Sequence, residues 1–305
     1  LAQAKTGSGK TAAFALPILM QIDPKKNKPQ ALVITPTREL ALQVTQACQS
    51  FSRHLPNLQV LSIYGGTDYR TQLRGMKQGA QIIVGTPGRL MDHLRRGSLN
   101  PSAFRFVVLD EADEMLNMGF IDDIRWILEQ CPTDRQTALF SATLPKPIQA
   151  IAKGALRHPK EILVRDKNTT QNTIAQSVIE CPQKHKLNVL KRLLITESVH
   201  KGIIFVKTKQ ESEQLAEKVQ AFGHACSALH GDLSQKIREH VLDAFRSGPT
   251  QWIVATDVAA RGIDVQDLSH VINYDPPHDA ESYVHRIGRT GRAGRSGTAI
   301  LFITP

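Results

Sequence analysis

Short apolar runs rich in β-branched residues recur along this 305-residue chain, each bounded by polar turns and separated by stretches of helical periodicity. They fall at 31–35, 60–64, 82–85, 106–110, 137–140 and 162–164, and again at 174–179, 202–206, 226–230, 252–256, 271–274 and 298–303. Runs that stay apolar instead of alternating are strands covered on both faces. Their alternation with helical segments predicts parallel strands joined by crossover helices. In the helix at 211–222, for example, Leu215, Val219 and Phe222 share one face.

The two series are separated by a polar, aperiodic stretch, Arg165-Asp166-Lys167-Asn168-Thr169-Thr170-Gln171-Asn172. Such a stretch reads as a linker. Two α/β domains follow, 1–165 and 173–305, joined at 166–172. In open parallel sheets ligands bind beyond the carboxyl ends of the strands. The loops after each run are therefore where chemistry is expected, and the strand ends of two such domains can face each other across a cleft.

Both ends look cut. Only Leu1-Ala2-Gln3 precede a loop that ordinarily follows a strand, and only Thr304 and Pro305 follow the last run. The sequence is expected to be a fragment of a longer protein. With so little of the anchoring strand, the first domain is expected to lose stability.

That loop is Ala4-Lys5-Thr6-Gly7-Ser8-Gly9-Lys10-Thr11, opening directly into the helical run 12–20. Its glycines let backbone amides point at phosphate oxygens, and the helix N-terminus adds positive potential. Lys10 can reach the β- and γ-phosphates, and the Thr11 hydroxyl can ligate Mg²⁺. Ala4 stands where the general pattern has its first glycine. Further along, Phe106-Val107-Val108-Leu109 ends in Asp110-Glu111-Ala112-Asp113. Asp110 can hold Mg²⁺ through water, and Glu111 can orient or deprotonate an attacking water. Alone, these acids read equally as a helix cap and first turn. Beside the phosphate loop they read as a nucleoside triphosphate hydrolysis site.

Composition adds a partner class. Lys plus Arg number 38 against 28 acids, a formal charge of +10, which suggests a polyanion and most simply nucleic acid. Charge alone fits a solubility role equally well. Aromatic content of 5% argues against extensive base stacking on exposed rings. Cys48, Cys131, Cys181 and Cys226 lack metal-ligand spacing and read as reduced, buried thiols of a cytoplasmic protein. No apolar run reaches the ~18–20 residues of a membrane helix.

Further strings complete a pattern. They are Pro36-Thr37-Arg38-Glu39-Leu40, Gly65-Gly66, Thr86-Pro87-Gly88-Arg89, Ser141-Ala142-Thr143, Ile203-Ile204-Phe205-Val206 and Gln235-Lys236-Ile237-Arg238. After them come Ala255-Thr256-Asp257-Val258-Ala259-Ala260-Arg261-Gly262-Ile263-Asp264 and His285-Arg286-Ile287-Gly288-Arg289-Thr290-Gly291-Arg292. In this order, and over essentially the whole chain, the sequence resembles a DEAD-box RNA helicase of superfamily 2, of bacterial type.

The resemblance implies two RecA-like domains of the P-loop NTPase type, ATP and Mg²⁺ as cofactors, and RNA-stimulated hydrolysis coupled to local unwinding of RNA. It implies catalytic roles for Lys10, Asp110, Glu111, His285, Arg289 and Arg292. Nucleotide contacts fall to Thr6, Gly7, Ser8, Gly9, Lys10, Thr11, Gly262, Asp264, Arg289 and Arg292, and metal contacts to Thr11 and Asp110. The arginines are implied to act from the second domain on ATP held by the first, so that hydrolysis depends on closure. Arg292 also reads as part of a basic surface patch, and His285 as a structural histidine.

Coupling between hydrolysis and RNA release falls to Asp113, Ser141 and Thr143, although Thr143 also suits a helix cap. RNA contacts fall to Thr37, Arg38, Gly66, Thr86, Gly88 and Arg89 in the first domain and to Thr208, Gln235, Arg238 and Thr256 in the second. Hydroxyls, glycines and arginines of this kind bind phosphate and ribose, so recognition is expected to ignore base sequence. Singly, each reads equally well as a turn or cap residue.

Two rivals stand beside this reading: a non-hydrolytic RNA clamp, and a DNA-acting translocase of the same superfamily. A monomer is expected, with ribosomal or RNA-turnover complexes formed through flanking segments. Family members read adenine with a Gln-containing segment upstream of the phosphate loop, and nothing precedes Leu1. The isolated chain is therefore expected to bind nucleotide weakly and to select ATP over GTP poorly.

Overall fold

The computed structural model describes residues 1–4, 8–164, 174–260, 268–291 and 295–305. The chain divides into two compact units, Leu1–Arg165 and Asp166–Pro305. The linker at 166–172 lies outside the described residues.

The first unit begins with β1 (Ala2–Gln3) and α1 (Lys10–Leu19), followed by β2 (Ala31–Ile34), α2 (Arg38–Phe51), β3 (Val60–Ile63), α3 (Tyr69–Lys77), β4 (Ile82–Gly85) and α4 (Pro87–Arg95). It continues with β5 (Phe106–Leu109), α5 (Ala112–Asn117), α6 (Ile121–Gln130), β6 (Gln136–Ser141), α7 (Lys146–Ala155) and β7 (Ile162–Leu163). The strand order is β3-β4-β2-β5-β6-β1-β7, and every pair is parallel.

The second unit contains β8 (Ile174–Glu180), α8 (Lys186–Thr196), β9 (Gly202–Phe205), α9 (Lys209–Ala221), β10 (Cys226–Leu229), α10 (Gln235–Ser247), β11 (Trp252–Ala255), α11 (Asp257–Ala260), β12 (His270–Asn273), α12 (Ala280–Ile287) and β13 (Gly297–Ile303). Its order is β10-β11-β9-β12-β13-β8, again all parallel. The fold is two parallel-sheet α/β units, as the apolar runs imply.

Each expected strand is present, with its ends within one residue of the apolar run. Several of the differences have a common cause. Thr35, Asp110 and Thr256 continue their runs, but each turns out of its strand and begins a loop. Their amides still bond to the neighbouring strand end: Thr35 N–H to Gly85 O at 2.9 Å, Asp110 N–H to Ile34 O at 3.0 Å, and Thr256 N–H to Leu229 O at 3.4 Å.

Alternate residues of each central strand point to opposite faces. Leu32, Ile34, Ile83, Val107 and Leu109 pack with Leu90, Met115, Ile124, Ile127, Ile148 and Ile151 from α4, α5, α6 and α7. Ala31, Val33, Ile82, Val84 and Val108 pack with Phe14, Ile18, Ala41 and Val44 from α1 and α2. The second unit repeats this scheme. Ile204, Val254 and Ile272 meet α8 and α9, while Ile203, Ile253 and Val271 meet α10 and α11.

The short first strand is better anchored than its length suggests. Ala2 and Gln3 pair on both sides, with Phe140 and Ser141 of β6 and with Ile162 and Leu163 of β7. Gln3 Nε2 also donates to Ala142 O at 3.1 Å. The phosphate loop thus starts from the interior of the sheet.

The four cysteines are buried and unpaired with one another. Burial pushes the Cys48 and Cys226 thiols up to about 12, so both are inert as nucleophiles. Among the described residues no helix is long and apolar enough to cross a membrane.

Candidate functional site

Sheet order sorts the candidate residues of the first unit. The loops after β1, β5 and β6 lie together on one side of the carboxyl edge, and those after β2, β3 and β4 on the other. The first group carries the phosphate loop, Asp110, Glu111, Asp113, Ser141 and Thr143. The second carries Thr37, Arg38, Gly66, Thr86, Gly88 and Arg89.

On the first side, Gly9 caps α1 with φ +85°, a left-handed conformation that glycine adopts without a steric penalty. Lys10 opens the helix, and its Nζ donates to Ala4 O at 2.9 Å. Asp110 is buried at the end of β5. Burial, and then the neighbouring Glu111, hold its carboxyl well above the usual carboxylate range. The Lys10 ammonium and the Glu111 amide act in the opposite direction.

Such a carboxylate suits a cation. Among the described residues no group of three or more His, Cys, Asp or Glu is arranged to hold a metal. The Asp110 carboxylate is an oxygen donor of the kind Mg²⁺ takes, one or two carboxylates with the shell completed by water and phosphate. Thr11, next to Lys10 on α1, supplies a hydroxyl of the right kind.

Glu111 has φ 52° and ψ 53°, the left-handed region, without being Gly, Asn or Asp. Such a residue stores on the order of 1 kcal/mol of strain, and strain of this kind clusters at functional sites. The turn brings the Glu111 amide back to Asp110 Oδ1 at 3.0 Å and leads into α5. There Asp113 is buried and bonded to the strand-end loop of β6. Its amide donates to Ser141 Oγ at 3.2 Å, and its Oδ2 accepts from Thr143 N–H at 2.8 Å and Thr143 Oγ1 at 3.0 Å. Pro145 occupies the cap position of α7, and no side-chain cap bond is made there.

The other side is built differently. Thr37 is the N-cap of α2, its Oγ1 accepting from Leu40 N–H at 3.2 Å. Arg38 begins that helix and lies against the turn after β3. A Cβ on Gly66 would stand 3.0 Å from Arg38 Cζ, and Gly66 itself has φ +85°. Position 66 favours glycine by its conformation, and a side chain there would displace the Arg38 head group. Thr86 caps α4 without a side-chain bond to it, and Pro87 follows as its first residue.

Gly88, in the first turn of α4, is exposed, and a Cβ there would meet nothing within 4 Å. Neither the backbone nor the packing of this unit requires a glycine at that place. Arg89 donates from Nη1 to Gln72 Oε1 at 3.2 Å and to Thr67 O at 3.5 Å.

In the second unit, the loops after β10, β11 and β9, which are adjacent in the sheet, carry the remaining RNA candidates. Thr208 forms a capping box with Glu211, so its hydroxyl is engaged at the start of α9. Gln235 and Arg238 stand three apart in the first turn of α10, on one face. Gln235 Nε2 donates to Glu239 Oε1 at 3.0 Å. Thr256 is buried at the end of β11. His285 lies in the last turn of α12, and Arg289 follows its Gly288 cap in a turn, its amide donating to Arg286 O at 3.2 Å. Thr6, Gly7, Gly262, Asp264 and Arg292 lie outside the described residues.

Two residues that sequence reasoning passed over organise this unit. Arg286 is 3% exposed. Its Nε and Nη2 hold both carboxylate oxygens of Asp257 at 2.6 and 2.8 Å, and Nη1 donates to Asn273 Oδ1 at 3.0 Å and Asp275 O at 2.7 Å. Buried Lys186 donates to the other side of Asp275, at Oδ1, at 2.8 Å. Arg286 thus ties the segment following Thr256 to the helix that carries His285 and leads into Arg289. The available signal was a charged residue at 286, three after Tyr283 and beside Ile287 on the inward side of an amphipathic helix.

Comparison with known proteins identifies the family. The family described as "DEAD/DEAH box helicase" matches residues 1–151, and "Helicase conserved C-terminal domain" matches 185–294. A Saccharomyces cerevisiae structure, Dbp5 bound to RNA and ADP BeF3, matches at a TM-score of 0.87 with 35% identity, over 100% of this chain and 79% of that one. The chain belongs to the DEAD-box helicase family. It is 52% identical over 305 residues to the ATP-dependent RNA helicase DeaD of Haemophilus influenzae, covering 100% of this chain and 50% of the relative. The Escherichia coli protein of the same name is 50% identical over 303 residues, covering 99% of this chain and 48% of its own length. The chain spans about half the length of the curated relatives it matches.

Proposed function

We propose that this chain is the two-domain core of an RNA-stimulated ATPase that locally unwinds or remodels RNA. The observation that carries the proposal is the sorting of the carboxyl edge of the first sheet. Acids and a phosphate loop cluster on one half, and hydroxyls, glycines and arginines on the other.

In this reading Ser8, Gly9 and Lys10, with Thr6 and Gly7, hold the triphosphate. Thr11 and Asp110 would hold Mg²⁺, which would neutralise charge on the triphosphate. Glu111 orients the water that attacks the γ-phosphorus and accepts its proton as the bond to the β-phosphate oxygen breaks. The left-handed turn at Glu111 sets where its side chain leaves the backbone. His285, Arg289 and Arg292 complete the reaction, the arginines stabilising charge on the transferred phosphoryl group. Gly262 and Asp264 contact the nucleotide.

RNA is held through its backbone by Thr37, Arg38, Gly66, Thr86, Gly88 and Arg89, and in the second unit by Thr208, Gln235, Arg238 and Thr256. The unexplained glycine at 88 supports this, since a phosphate can approach the backbone closely where no Cβ stands. Asp113, through Ser141 and Thr143, couples the two halves. We assign the protein to the cytoplasm as a monomer.

The test is steady-state ATP hydrolysis with matched RNA and DNA, with Glu111→Gln as control. RNA stimulation exceeding that by DNA, with a loss of about 10²–10⁴-fold on the substitution, is expected. Equal stimulation by both polymers overturns the RNA assignment. Nucleotide-dependent RNA binding without turnover establishes a clamp instead.

A further inference from the structure

Behind Arg89 and the Gly66–Thr67 turn lies a buried polar network outside the roles assigned above. His93, on α4, is 0% exposed and is bonded at both ring nitrogens. Nδ1 meets Ser98 Oγ at 2.8 Å, and Nε2 meets Gln72 Oε1 at 2.8 Å. Buried Gln72, on α3, donates from Nε2 to Tyr64 O at 2.9 Å and to Thr67 Oγ1 at 2.7 Å. Its Oε1 also accepts from Arg89 Nη1 at 3.2 Å. Both donors and both lone pairs of the amide are therefore used.

The partners fix the orientation of the Gln72 amide. The Tyr64 carbonyl can only accept, so the Gln72 amide nitrogen faces it and the amide oxygen faces His93 and Arg89. His93 must then carry a hydrogen on Nε2, while the Ser98 hydroxyl stands within reach of both Nδ1, at 2.8 Å, and the His93 carbonyl, at 3.1 Å. Tyr69 stacks on the imidazole at 4.3 Å between ring centroids and 7° between planes, and its hydroxyl lies 3.0 Å from Ser98 Oγ. The Arg89 guanidinium lies over the same tyrosine ring, 5.6 Å from its centroid.

A fully satisfied buried network of this kind specifies one geometry at a desolvation cost that apolar packing would avoid. The geometry it specifies here is that of the Arg89 head group and the turn that ends at Thr67. We infer that Gln72, locked by His93, is a positioning residue for RNA binding, holding Arg89 and the Gly66–Thr67 turn in one arrangement against the phosphate backbone. The inference rests on the RNA reading of Arg89 given above.

The experiment uses the whole chain, a defined RNA oligonucleotide and Gln72→Met, which keeps side-chain volume and removes all four hydrogen bonds. The KM for RNA in ATP hydrolysis is expected to rise about tenfold, the scale of one charge-assisted hydrogen bond, with kcat and nucleotide affinity unchanged. Added to Arg89→Ala, Gln72→Met is expected to cause clearly less than its own tenfold rise, because part of its effect runs through that arginine. A purely structural role would lower thermal stability without this split.

An unchanged KM in a folded Gln72→Met variant, or losses that multiply in the double variant, overturns the inference. Should Gln72→Met fail to fold, His93→Leu makes the same test from the other side of the network. Absence of RNA stimulation in the unsubstituted protein is a separate result and overturns the RNA reading itself.

Discussion

The two halves of the first sheet's carboxyl edge answer to different physical demands. On the half formed by β5, β6 and β1, two carboxyls are buried, Asp110 with its carboxyl raised by burial and Asp113 bonded three ways, and half-buried Glu111 stands between them in a left-handed turn. On the half formed by β3, β4 and β2, the candidate contacts are caps, glycines and arginine side chains in local turns. Directing a small, highly charged group requires rigid carboxylates. Following a polymer backbone requires donors and room for close approach. Along the chain the second set lies as one block between the phosphate loop and the acids, and the strand order brings the loop and the acids together.

The comparison is broken or sharpened by stability measurements before any assay. Asp113→Ala removes a buried carboxylate and strands the amide and hydroxyl of Thr143, so unfolding of the chain should become easier by about 3 kcal/mol. Thr37→Ala removes a single cap and should cost about 1 kcal/mol. Denaturant unfolding compares them directly, and equal losses would erase the distinction between the halves.

A second prediction concerns the network at His93. Burial, and then Arg89, lower its pKa to about 4, with Arg96 acting in the same direction and Asp92 opposing. The unfolded chain takes up this proton near pH 6.5, whereas the folded chain does so only near 4. Stability from this group is therefore complete above about pH 6.5 and is lost as pH falls toward 4, by on the order of 2–3 kcal/mol. The unfolding free energy of His93→Gln should lack this segment of pH dependence. An unchanged slope between pH 6.5 and 4 would show that the imidazole is not held neutral.

The smallest effect has two parts of opposite sign. Gly88→Ala meets no neighbour and replaces a poor helix former, so it should stabilise the chain by about 0.5–1 kcal/mol. The same methyl group should weaken RNA binding, as measured by oligonucleotide titration. A stabilised variant with unchanged RNA affinity would remove Gly88 from the contact set.

How far the sequence carried depends on the type of residue. The strands were legible because they are apolar on both faces, and the site loops because each follows such a run. Strand order was not legible, since nothing in the runs says that β1 lies between β6 and β7. The phosphate loop and the paired acids were legible as residue types. The left-handed turn at Glu111 was not, because an acid after a strand suits an ordinary cap equally well. Buried polar residues were least visible. Gln72, His93, Lys186 and Arg286 sit on amphipathic helices, where a polar letter ordinarily means the solvent face. Their burial depends on partners distant in the chain, such as Asp257 and Asp275 for Arg286.

Equilibrium nucleotide binding in the absence of RNA, for Lys10→Ala and Arg89→Ala beside the unsubstituted chain, tests the division of the edge most directly. The account predicts weakening of at least about tenfold for Lys10→Ala, which loses a charge-assisted contact to phosphate, and no change for Arg89→Ala. Equal weakening by both substitutions would contradict it, because the two halves would then form one site.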